Sequence, residues 1–97
     1  MKILAIEKEK GLVQWENQAD VLLEEARSVY RYMLSGVLRE IYFTQHKNAV
    51  LIMECTNRSE AVEVLNTLPL VQKGLIEFEV MELHPYTGLS RLMKGMI

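Results

Sequence analysis

The chain has 97 residues, 49% of them apolar and 25% charged, with a formal net charge of −2. That composition excludes a disordered chain, and the length allows one domain with a thin margin, because folding buries only about 60–65% of the unfolded surface at this size. The 11 Lys and Arg are scattered, so no basic stripe addresses a nucleic acid, and no apolar run nears the ~18 residues of a membrane span.

Residues 2–7 read as a strand that is apolar on both faces, and Glu7-Lys8-Glu9-Lys10-Gly11 as a charged loop. The apolar opening meets Glu7 too early for a signal-peptide apolar region. Trp15 stands ahead of a helix as a staple onto the core or a dimer seam. From about Asn17 to Ser35, Val21, Leu22, Ala26, Val29, Tyr30, Met33 and Leu34 recur at helical spacing. Glu24, Glu25, Arg27, Ser28 and Arg31 mostly fill the opposite face. Gly36 sits where a left-handed residue would end the helix.

Residues 37–46 carry Val37, Ile41, Tyr42, Phe43 and Thr44, types that favour a strand. A Lys47-Asn48 turn leads into a third strand over Ala49–Cys55. Ser59, with Glu63 just beyond the capping-box spacing, opens a second helix bearing Ala61, Val62, Leu65 and Leu68, and Pro69 ends it. The last strand alternates from Leu75 to Leu83. Residues 1–85 thus form the domain. Residues 86–97, with Leu89, Leu92, Met93, Met96 and Ile97, are a tail that packs on a partner subunit or stays disordered.

The order β-α-β-β-α-β is the ferredoxin-like α+β plan, a four-stranded antiparallel sheet with two helices on one face. Ala49-Val50-Leu51-Ile52-Met53 is apolar without alternation, as a strand covered on both faces is. Two helices cover one face only. A second copy is the expected cover for the other, giving a homodimer with sheets face to face or curled into a dimeric α/β barrel. A ligand groove or the folded-back tail is the alternative.

The segment Ser59-Glu60-Ala61-Val62-Glu63-Val64-Leu65-Asn66-Thr67-Leu68-Pro69-Leu70, followed by Ile76–Val80 and His84-Pro85, resembles the muconolactone isomerase family. There a short helix ends in Leu-Pro, and an alternating strand runs into His-Pro. Gly36-Val37-Leu38-Arg39 and Glu54 match more loosely, and Glu40-Ile41-Tyr42-Phe43 departs from a strand that the family makes richer in Trp and Arg. The resemblance implies a dimeric α/β barrel that assembles into a homodimer or larger ring. It also implies a small organic acid or lactone as ligand, and a double-bond shift by proton transfer.

Such a reaction needs a general base, a group that steadies an enolate and, for a free carboxylate, a cation. Glu54 and His84 are the candidates for base and acid, Arg39 for the carboxylate and Tyr42 as a hydrogen-bond donor. Glu54 is otherwise the first exposed residue past its strand, and Arg39 an ion-pair partner of a neighbouring Glu. A two-residue turn would put Glu54 on the face of Ile41 and Phe43, and a longer one beside Tyr42 and Glu40. His84 is held extended by Pro85. Glu77 and Glu79 share one strand face, either solvated or paired across a dimer. His46, His84 and Cys55 have no metal-ligand spacing, and the isolated glycines form no phosphate loop, so neither metal nor cofactor is expected. Cys55 reads as a buried thiol in a reducing, cytoplasmic setting. A non-catalytic binding or accessory module, and a small haem-using or cofactor-independent oxygenase, are the rival functions on this fold.

Overall fold

The computed structural model describes residues 1–93. The chain runs β1 (Lys2–Glu9), a single 3-10 turn (Trp15–Asn17), α1 (Ala19–Ser35), β2 (Leu38–Phe43), β3 (Ala49–Glu54), α2 (Arg58–Leu65), α3 (Pro69–Gln72), β4 (Ile76–Leu83) and α4 (Ser90–Met93). The strands form one sheet in the order β2-β3-β1-β4, every pair antiparallel. This is the ferredoxin-like architecture expected from the sequence.

Period-2 alternation sorts the side chains between the two faces. Ile3 and Ala5 of β1 stand opposite Met53 and Leu51 of β3. All four are buried in one cluster with Leu38, Ala61, Leu65 and Leu68, so the helices cover this face. A second, smaller cluster joins Val21, Leu70 and Ile76, with Trp15 packed against it. The Trp15 indole N–H also donates to Glu9 Oε1 at 3.0 Å. On the other face Leu4, Ile6, Val50, Ile52 and Met81 all keep partial exposure. The unbroken apolar run of β3 therefore has one side in the core and one side still open.

Several boundaries differ from expectation for local reasons. β1 continues to Glu9, so Glu7 and Lys8 are strand residues paired with Phe78 and Glu77. The β2–β3 connection spans Thr44–Asn48, closed by the Thr44 N–H on the Asn48 carbonyl at 2.9 Å, with Lys47 left-handed at φ 63. It is longer than a Lys47-Asn48 turn. This connection pairs Ile41 with Leu51, and a bulge between Leu38 and Glu40 then shifts the register so that Leu38 faces Met53. α2 is capped by Asn57, whose Oδ1 accepts the Glu60 N–H at 2.9 Å, two residues earlier than Ser59. Pro69 starts α3 and does not end α2, because its fixed φ suits a first helical position while Leu68 before it is extended. Part of the tail is regular: Ser90–Met93 makes one helical turn. Met96 and Ile97 lie outside the described residues.

Gly36 closes α1 at φ 85, and its N–H donates to the Met33 carbonyl. A Cβ there would meet only the Arg39 guanidinium at 3.9 Å. Gly36→Ala should therefore lose about 1 kcal/mol from backbone conformation alone, read as a lower urea midpoint at unchanged slope.

The principal extents are 63 × 27 × 19 Å and the radius of gyration is 16.7 Å, against about 12.5 Å for a compact chain of this length. Tyr86, Leu89, Leu92 and Met93, beyond the last strand, are all exposed. Among the described residues no helix is long and apolar enough to cross a membrane.

Candidate functional site

The alternation that buries Ile3 and Ala5 carries Glu7 to the same face, beneath α1. Glu7 is 7% exposed. Its Oε1 accepts the Ala49 N–H at 2.9 Å, where β3 begins. Glu25 reaches down from α1, and its Oε1 accepts the Leu70 N–H at 3.0 Å, one of the donors that the first turn of α3 leaves free. Each carboxyl is thus anchored through one oxygen. Among the described residues, no hydrogen bond engages either Oε2.

Both carboxyls line a cavity of about 280 Å³ between α1 and the sheet. Its walls are mainly apolar, with Leu22 and Val29 from α1, Ile41 and Phe43 from β2 and Phe78 from β4. Among the described residues no Lys, Arg or His lines it. Burial pushes the Glu7 carboxyl above its ordinary range, the Ala49 N–H pulls it partly back, and Glu9 adds to the rise. Burial likewise raises Glu25, the Leu70 N–H opposes it, and the Glu7 charge raises it further. A carboxyl held up in this way keeps or exchanges a proton nearer neutral pH than a solvated one. Two side by side can divide donor and acceptor duties.

Glu54, His84, Arg39 and Tyr42 lie elsewhere. Glu54 follows Val50 and Ile52 on the open face, shared with Tyr42 and Glu40, and binds the N-terminal ammonium at 3.1 Å. The Tyr42 hydroxyl donates to Glu40 Oε1 at 2.7 Å, which raises its own pKa. Arg39 sits on the bulge, with Nε donating to the Gly36 carbonyl at 2.6 Å. His84 Nε2 meets Glu82 Oε2 at 3.1 Å. The register brings Arg39, Glu54 and His84 to one end of the sheet, with β1 between the last two. That spacing is about 10 Å at the usual strand separation. Tyr42 is further along β2, and none of the four lines the cavity.

Cys55 and Glu79 also lie outside the cavity. Cys55 is buried, and burial, with Glu60 beside it, pushes its thiol upward. Glu79 stands on the open face and pairs with Lys8 at 3.4 Å. Among the described residues no three His, Cys, Asp or Glu gather as a metal site.

No protein-family model and no curated protein matches the chain. Solved structures do match. Muconolactone isomerase, solved at 3.3 Å, superposes with a TM-score of 0.74 at 17% identity, covering 90% of this chain and 92% of that one. The chain shares the fold of muconolactone isomerase. The 5-chloro-2-hydroxyhydroquinone dehydrochlorinase of Burkholderia phenoliruptrix AC1100, in complex with 2,5-dihydroxybenzoquinone, superposes with a TM-score of 0.72 at 15% identity, covering 91% of this chain and 98% of that one. At such identities the likeness to muconolactone isomerase speaks for the backbone. The two neighbours carry different activities in their names, so chemistry has to be argued from side chains.

Proposed function

We propose that this chain is a small isomerase-like enzyme that holds a small organic acid or lactone in the α1–sheet cavity and shifts a double bond by proton transfer. The observation that carries this reading is the pair Glu7 and Glu25, each tied by one oxygen to a backbone N–H and each keeping the other oxygen unengaged. The ionised carboxyl of the pair takes a proton from carbon next to a carbonyl. The protonated one returns a proton to the far end of the enolate, so no oxidant or reductant is required. Fold neighbours named as an isomerase and a dehydrochlorinase favour a catalytic reading over an accessory module.

The working unit in this proposal is a homodimer closed over the face of Leu4, Ile6, Val50, Ile52 and Met81. The lone free thiol of Cys55 is consistent with a cytoplasmic location. A second reading rests on Arg39, Glu54 and His84 lying at one sheet end, with Glu54 on the open face and His84 in the phase of Glu82 on the other: Glu54 is the base, His84 the acid and Arg39 the carboxylate clamp, with Tyr42 as a donor. That site is open in the single chain and would need a partner to enclose it.

Proton NMR in heavy water with muconolactone, and with its uncharged methyl ester, tests both readings. Deuterium entry catalysed by the intact chain is expected. It should fall by about 10² or more in Glu25→Gln, the usual scale for losing a general base, and survive in Glu54→Gln. The reverse pattern moves the chemistry to the sheet end. No exchange of either compound leaves a binding module, and a Soret band on adding haemin would favour the oxygenase.

A further inference from the structure

We infer that the cavity selects its ligand by charge, admitting an uncharged single-ring molecule such as a lactone, a phenol or an enol and turning away free carboxylates, so that of the ligands proposed above it takes the lactone and not the free acid. This rests on the cavity reading proposed above and narrows it. The volume of about 280 Å³ exceeds the roughly 150 Å³ that holds benzene in an apolar protein cavity, so one substituted ring fits. Phe43 and Phe78, with Leu22, Val29 and Ile41, offer apolar and aromatic contact to a ring.

The polar features of this space are acidic. Glu7 and Glu25 line the cavity, each with one oxygen free of hydrogen bonds, and among the described residues no cation lines it. A bound carboxylate would lose its hydration and meet like charge with nothing to neutralise it. A hydroxyl, by contrast, donates to a carboxylate oxygen and accepts from a protonated carboxyl. An ammonium ion gains less than the two acids imply. Each Oε1 is already occupied by a backbone N–H, and burial disfavours charge on both carboxyls, so the pair offers less counter-charge than two solvated acids while the desolvation of an ammonium is large.

The Ala49 and Leu70 amides report occupancy in the unaltered chain, because they donate to Glu7 and Glu25. The experiment is a ¹H–¹⁵N titration at pH 7 with phenol, benzoate and benzylamine. Phenol should shift both amides saturably, with a Kd at least tenfold below those of benzoate and benzylamine. Glu25→Gln should improve benzoate binding severalfold. Benzoate or benzylamine binding as tightly as phenol overturns the inference, as does the failure of all three to move these amides. Phenol binding without proton exchange would defeat only the proposed reaction. Exchange of muconolactone itself at the rate of its methyl ester would support the reaction and defeat the charge selection.

Discussion

At pH 7 the Glu25→Gln protein melts at a higher temperature than its parent, and the gap closes by about pH 4. Glu25 is raised in the folded chain from an ordinary value of 4.5, first by burial and then by the neighbouring Glu7. Between that value and the raised one, the folded state holds more protons than the unfolded state. Stability therefore falls as pH rises through this window. The contribution is fully present below the unfolded value and is lost above the folded one. Gln removes the titration and keeps an amide oxygen to accept the Leu70 N–H. A tenfold difference in proton affinity between the folded and unfolded chain is worth ~1.4 kcal/mol. For a chain of this size each kcal/mol moves the melting temperature by about 4–8 °C.

Glu7→Gln should act in the same direction through its raised carboxyl, and the two substitutions should not add, because Glu7 is one cause of the rise at Glu25. Thermal melts of the parent and three variants from pH 4 to pH 8 decide the matter. If Glu25→Gln melts lower at pH 7, the carboxylate is ionised and stabilising, and the acid–base role loses its basis. A gain in stability together with lost exchange is the pattern of a residue kept for function at a cost to the fold.

The architecture was legible because each element announces itself over many residues. Alternation in Ile76–Leu83, the three-and-four spacing of α1 and the turn glycine Gly36 agree with one another, and a single error in any of them leaves the plan intact. The candidate site was hidden because it breaks those patterns at two positions. Glu7 keeps the phase of Ile3 and Ala5 but sits in the run Glu7-Lys8-Glu9-Lys10, which reads as loop by composition. Glu25 falls three residues after Leu22 and four before Val29, inside the apolar stripe, yet its neighbours Glu24 and Arg27 make it look like part of a solvated face. Phase was the available signal in both cases: a carboxylate on an apolar period is either an error in the fold or a functional group. Register at Glu54 was beyond the sequence for another reason. The bulge at Arg39 and the long Thr44–Asn48 connection depend on backbone geometry that no side-chain pattern spells out.

Val50→Asp should turn the proposed dimer into a folded monomer. Val50 stands at the middle of the open face, opposite Ile6 on one side and Tyr42 on the other. In the single chain it keeps partial exposure, so a charge there can stay hydrated and the circular dichroism should not change. In a two-fold interface the Asp occurs twice and is buried without a partner, a cost of about 3–5 kcal/mol for an uncompensated buried charge. At ~1.4 kcal/mol per tenfold, the dissociation constant should rise by roughly 10³ or more. Sedimentation velocity over a range of concentrations measures this, and a variant that stays dimeric places the interface elsewhere, with the exposed Tyr86, Leu89, Leu92 and Met93 as the next surface to alter. The same protein separates the two catalytic readings. Glu7, Glu25 and their cavity belong to one chain, so a monomeric variant should still exchange deuterium. Glu54 and Tyr42 stand on the open face and need a partner to enclose them, so exchange that vanishes with the dimer, in a variant whose fold is intact, would assign the chemistry to the sheet face.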